Sequence, residues 1–255
     1  KFWGFLLVIV LMTSCGEYQS LLKSNDYNLV YKKAIEYYNK GDYQRAMNLL
    51  DGVRSVFVGQ AKAQNIAYYR AFCSYNMKDY QIASDLFKQF IQTYPESSFA
   101  EECLYMMGFC DYKASPKPRL DQQVTEKAIR EFQLYLSRYP YSMRKDKVNT
   151  YMDEMRDKLS YKAYLSAKNY YLREHYKAAV ISLQNCLKDY PGSKYREEIM
   201  YMLFVSKYQM AVNSVEDKKV ERYNNAREEY YYFADEYPNS RYAADVKKMY
   251  EDIEA

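Results

Sequence analysis

The side chains best suited to chemistry are few and scattered. His175 is the sole histidine, so neither a pair of imidazole metal ligands nor a second imidazole base is available. It sits beside Tyr176 at a turn position where related segments carry Asp, and it reads as structural. The adjacent acids Glu101 and Glu102, Glu197 and Glu198, and Glu228 and Glu229 fall on separate segments and read as solvated helix faces. The sequence has no glycine-rich phosphate loop, no Gly-x-Ser-x-Gly elbow and no Cys-x-x-Cys pair. The expectation is a non-catalytic protein with no catalytic residue, no metal and no cofactor. Cys103 and Cys110 stand seven apart in one helical pattern, ~10 Å along a helix axis, and cannot bridge each other. With Cys73 and Cys186 they are expected to be packed as small hydrophobes.

Cys15 differs from the other cysteines. Lys1 precedes an uncharged apolar run over residues 2–12, which has the length and polarity of a signal-peptide core and is too short to span a bilayer. The small residues Thr13 and Ser14 then lead into Cys15 and Gly16, and this junction resembles a bacterial lipobox. Acylation of Cys15 would anchor the chain through buried methylene groups, at ~0.8 kcal/mol each, without a membrane helix. The expected division is a lipoprotein signal peptide over 1–14, a lipidated linker over 15–26 and a folded domain over 27–255.

The elements that would present any surface are read from an internal repeat. Ala46, Ala83, Ala128, Ala179 and Ala226 align, and Tyr43, Tyr80, Thr125, Tyr176 and Tyr223 stand three residues before them. Positions four and seven after each alanine are apolar, the one-sided spacing of a packed helix. Eleven residues after the alanines come Phe57, Tyr94, Tyr139, Tyr190 and Tyr237, the last four followed by proline. A preceding helix carries Tyr31-Ala34-Tyr38, Tyr68-Ala71-Tyr75, Tyr105-Gly108-Tyr112, Tyr164-Ala167-Tyr171 and Tyr201-Phe204-Tyr208, whose small central residues allow close helix approach. Ser97, Ser142, Ser193 and Ser240 are placed to cap the next helix. The spacing of 37 residues between the first two triplets, and again between the last two, is close to the 34 of a tetratricopeptide unit.

The predicted fold is therefore all-α: a superhelical array of five tetratricopeptide-like helix-turn-helix repeats near 27–60, 63–95, 98–140, 142–191 and 194–238, with a C-terminal cap helix over 240–254. Three insertions are expected: a surface loop before Thr125 containing Pro116 and Pro118, a helix lengthened over residues 144–158, and a loosening of the last repeat over residues 211–220. Composition agrees, since 7 Gly and 6 Pro in 255 residues leave few breaks in long helices. A net charge of +4 is mild and well mixed, which argues against a nucleic-acid partner.

A helical array offers partners its surface. Most of the 33 tyrosines fall at repeat spacing and are expected in the core. Tyr37, Tyr69, Tyr170 and Tyr195 fall outside the landmarks and are candidates to meet an extended peptide on a concave face. The basic clusters around Lys117 and Arg119, and Arg144, Lys145 and Lys147, are candidates to steer an acidic partner or anionic headgroups.

Taken together, the lipobox, the five repeats and the long helix entering the fourth resemble the BamD family of barrel-assembly lipoproteins. The most telling stretches are Met155-Arg156-Asp157-Lys158-Leu159, Ala167-Lys168-Asn169-Tyr170-Tyr171 and Tyr176-Lys177-Ala178-Ala179-Val180. The resemblance implies a chain anchored through acylated Cys15 to the periplasmic face of the outer membrane. It also implies binding to the periplasmic domains of a BamA-like insertase, through residues 142–255, and to unfolded barrel precursors, through residues 27–113. Two departures are the first repeat, which ends Phe57-Val58 without proline, and tyrosine at many positions more often leucine. The rival reading is a generic tetratricopeptide-repeat lipoprotein scaffold serving another cell-envelope complex.

Overall fold

The computed structural model describes residues 16–254 and is helical throughout, with no strand among them. A short helix α1 covers residues 16–22. Five hairpins follow: α2 (Tyr27–Asn39) with α3 (Tyr43–Val53), α4 (Ala61–Asn76) with α5 (Tyr80–Thr93), α6 (Ala100–Ala114) with α7 (Gln123–Arg138), α8 (Lys145–Leu172) with α9 (Tyr176–Asp189), and α10 (Arg196–Val212) with α11 (Glu216–Glu236). The cap helix is α12 (Ala243–Glu254). The chain forms two compact units. One holds the residues up to Pro116 and Asp121–Met152, the other Lys117–Leu120 and Asp153 onward.

Each hairpin is written locally. Asp26 and Asp42 cap α2 and α3, their carboxylates accepting from the backbone N–H of Leu29 at 3.0 Å and Arg45 at 3.2 Å. The short turn inside three hairpins holds one left-handed residue, Gly41 (φ 81°) in the first, Lys78 (φ 68°) in the second and Glu174 (φ 59°) in the fourth. The second helix of the last four hairpins stops at Tyr94, Tyr139, Tyr190 or Tyr237, near φ −130° and ψ 60°. The following proline disfavours helical backbone at that residue. The serine two residues after each proline accepts from the N–H two positions on, with Oγ 3.0–3.3 Å away. It therefore caps the turn, and the helix proper starts one residue later than that donor.

The five aligned alanines are all at 0% exposure. The apolar positions four and seven beyond them are buried too, apart from Tyr230, which stacks at 4.0 Å on Tyr250 of the cap helix. Gly108 explains the small residue of the first helix: a Cβ there would stand 2.9 Å from the Phe132 ring. The fifth repeat departs, since fully buried Phe204 fills that position and tilts against Tyr230 at 6.3 Å.

Two expectations are corrected. Residues 16–22 are helical rather than a linker, because Tyr18 and Leu21 are buried in the first core with Val30, Leu49 and Phe57. Residues 211–220 do not loosen the last repeat. They extend α10 to Val212 and start α11 at Glu216, leaving a three-residue turn. The residues added at 144–158 do extend α8, to 28 residues, and residues 115–122 form the expected loop. The four cysteines of the described chain are free and buried. Burial pushes the thiols of Cys73 and Cys103 up to about 12 and that of Cys186 to about 11, so all three are poor nucleophiles.

Candidate partner-binding site

The repeats are joined by a ring contact that recurs at every step. The leading tyrosine of each first helix is covered by a side chain from the start of the next repeat. Tyr31 lies under the Lys62 ammonium at 5.7 Å, Tyr68 under Phe99 at 4.6 Å and Tyr105 under the Arg144 guanidinium at 4.8 Å. Tyr164 lies under Tyr195 at 4.4 Å and Tyr201 under Tyr242 at 4.1 Å. Stacked rings and cation–π contacts are interchangeable here because both use the ring face. Arg144 and Tyr195, two of the candidate partner residues, therefore occupy one structural position.

The hydroxyls of these tyrosines serve the same joints. Tyr68 donates to Glu102 at 2.8 Å and Tyr201 to Asp245 at 2.6 Å. Burial and then the acceptor carboxylate raise both phenols well above their ordinary value. The turn serines join in, Ser142 donating to Glu101 at 2.7 Å and Ser240 to Glu197 at 2.6 Å. Glu198 takes Lys168 at 2.7 Å. Two of the three acid pairs read as solvated faces are thus acceptors that clasp one helix to the next, Glu101 with Glu102 and Glu197 with Glu198, while Glu228 of the third pair is exposed.

The remaining candidates divide by packing. Tyr37 packs against Tyr18 at 5.9 Å with the Arg45 guanidinium 5.8 Å from its ring. Tyr69 lies edge-on to Tyr38 at 4.9 Å and to Tyr68 at 5.5 Å. What Tyr37, Tyr69 and Tyr195 can offer a partner is the part of each half-buried ring that this packing leaves in solvent. Tyr170 is exposed at 39%. Tyr37 and Tyr170 share a register, six residues after the leading tyrosine, with Ser74, Asp111 and Lys207. Lys145 is exposed at the start of α8, next to Arg144 in a turn that also carries Tyr141 and Met143. Cys15 lies outside the described residues.

Sequence reasoning missed a buried polar cluster in the first unit. Asp111, 2% exposed, accepts from Ser84 Oγ at 3.1 Å and pairs with Lys127 at 2.9 Å. Glu131 lies 3.7 Å from Lys127, and its Oε2 is buried without a hydrogen-bond partner. Burial, and then the neighbouring Asp111 carboxylate, push the Glu131 carboxyl up to about 8, so it is mostly protonated at neutral pH. It lines a cavity of about 360 Å³ with Leu104, Met107 and Leu134. The available signal was the repeat itself, since Glu131 stands where the first two repeats carry Leu49 and Leu86. Among the described residues no three His, Cys, Asp or Glu side chains are grouped to hold a metal ion, and no helix is long and apolar enough to cross a membrane.

The model of the YfiO family, described as outer membrane lipoprotein, matches residues 23–198 and again 162–255. The chain belongs to the YfiO family of outer membrane lipoproteins. No curated protein sequence matches it. Among solved structures, a TPR repeats protein from Bacteroides fragilis NCTC 9343 is 12% identical, with 91% of this chain and 99% of that one covered and a TM-score of 0.43. The TPR2AB domain of yeast Sti1, in complex with pHSP90, is 14% identical over 90% of this chain and 98% of that one, with a TM-score of 0.40. As a YfiO family member this chain builds its joints from tyrosine faces and carboxylate clasps.

Proposed function

We propose that this protein is a non-catalytic assembly factor of the outer membrane, a lipid-anchored scaffold that holds a BamA-like insertase and unfolded β-barrel precursors together. The observation that carries the reading is the family match, which runs through all five repeats and the cap helix. The architecture supports it, because stacked hairpins expose long helical surfaces to partners. Acylated Cys15 holds the scaffold at the bilayer, on the periplasmic side, so that precursors and insertase meet on one surface.

The test is affinity purification from solubilised outer membranes with a tagged chain that retains Cys15, followed by mass spectrometry. Stoichiometric recovery of a BamA-like barrel with periplasmic domains is the expected result. Recovery of a different envelope complex in its place would transfer the scaffold to that complex.

A further inference from the structure

Four turns, three between repeats and one before the cap helix, share the same hydrogen bonds: the serine N–H to the tyrosine carbonyl three residues back, and the N–H three residues on to the serine carbonyl. Two positions in each turn, one and three after the proline, project into solvent. They are Glu96 and Ser98, Tyr141 and Met143, Gly192 and Lys194, and Asn239 and Arg241. The backbone requires no apolar residue there, and three turns carry none. Tyr141 and Met143 are 98% and 101% exposed, so folding gains nothing from either. Exposed residues flanking them add Arg138, Lys145 and Lys147 against Asp146. Arg144 is committed to Tyr105 and lies 3.6 Å from Glu102.

The direction in which this turn points follows from contacts inside the first unit. Arg138 donates to the Pro95 carbonyl at 3.3 Å and Ser142 to Glu101, which places the turn beside the start of α6. At the first repeat the same end is marked by Lys62 donating to Asn28, at the start of α2. Helix α1 runs the opposite way to α2. Its beginning meets Lys33 through Glu17 at 2.9 Å and Tyr37 through Tyr18, and its end leads back to Tyr27. Gly16, which follows Cys15 directly, therefore lies toward the end of α2 opposite the one that Lys62 marks.

We infer that the α7–α8 turn is a protein-docking tip that faces away from the bilayer. Tyr141 and Met143 enter an apolar depression on a soluble domain, and Lys145 and Lys147 meet its acidic rim. Tyrosine and methionine are enriched at protein interfaces, and the exposed lysines add a positive charge that steers an acidic rim toward the tip. The inference rests on the scaffold reading above and assigns the periplasmic domains of the insertase to this tip.

The experiment titrates the acylated full chain in detergent with the isolated periplasmic domains of the cell's BamA-like insertase. Tyr141→Ser with Met143→Ser is expected to weaken binding by about tenfold or more, through lost apolar burial, with an unchanged melting temperature. Lys145→Glu is expected to weaken binding and flatten its salt dependence. A double variant that binds within about twofold of wild type would overturn the docking tip and leave the scaffold standing. A wild-type chain that does not bind these domains would overturn the scaffold reading and the tip with it. A fluorophore at Met143→Cys that shifts to the blue with phosphatidylglycerol vesicles would assign the tip to lipid and overturn it equally.

Discussion

Lys78 and Glu174 occupy the left-handed backbone region that Gly41 fills in the first hairpin, and a residue with a Cβ pays ~1–2 kcal/mol to stand there. Lys78→Gly is therefore expected to raise stability by up to ~1 kcal/mol, once the greater entropy of glycine in the unfolded chain is set against the relieved strain. The urea midpoint reads it, and a fall would show that the Lys78 side chain contributes more than its strain costs. Glu131 predicts a pH dependence. Its carboxyl titrates near 4.5 when unperturbed and near 8 in the fold, so between those values the native state holds a proton that the unfolded state has released. Its stabilising share is complete below about 4.5 and is lost as pH rises through about 8. Glu131→Gln stays neutral throughout, so the stability of the variant relative to wild type should grow from pH 5 to pH 9. A constant difference would place Glu131 ionised in the fold. The alanines, prolines and capping aspartates were legible because each acts on its own backbone. The Asp111 and Glu131 cluster was not, since it joins α5, α6 and α7 and only packing brings them together.

Between elements, the covered tyrosine is the repeating joint. Tyr195→Ala should cost ~1–3 kcal/mol, from lost stacking on Tyr164 and lost burial, while Tyr195→Phe should stay within ~0.5 kcal/mol because the face is kept. Chemical denaturation of both variants separates a packing role from one in which the hydroxyl matters. Gly108→Ala tests helix approach. Better helix propensity favours it by ~1 kcal/mol, but the Phe132 ring, fully buried, must give way, and overpacking costs ~1–3 kcal/mol. Net destabilisation is expected, with a melting temperature at or above wild type as the contrary result. The spacing of 37 residues announced these joints, but which residue lies over each tyrosine was hidden. Lys62, Phe99, Arg144, Tyr195 and Tyr242 share no chemical class, only a ring-facing position.

For the whole molecule, the proposed acylation of Cys15 sets where the scaffold works. Cys15→Ser should move the chain from the membrane fraction to the soluble fraction, since no described helix can span the bilayer and the acyl chains supply the membrane affinity. Retention in the membrane fraction after extraction with high salt would mean that a protein partner holds it there instead. On the proposed acylation of Cys15, the helix over 16–22 would connect the anchor to the first repeat through Tyr18 and Leu21. That stretch looked like a linker because seven residues are too few to show a helical period.

Sequence alone determined the helix count per repeat, the turns, the proline stops, the buried alanine faces and the lengthened α8, because each depends on contacts within about a helical turn or on a hydrophobic period. Tertiary structure decided what long side chains do at the joints. It turned two of the three glutamate pairs from solvated faces into clasps, put Arg144 and Tyr195 over tyrosine rings, and left Tyr141 and Met143 fully exposed. Ring faces, carboxylates and hydroxyls have several partners within reach of any sequence position, and only the packing of one helix on the next selects among them.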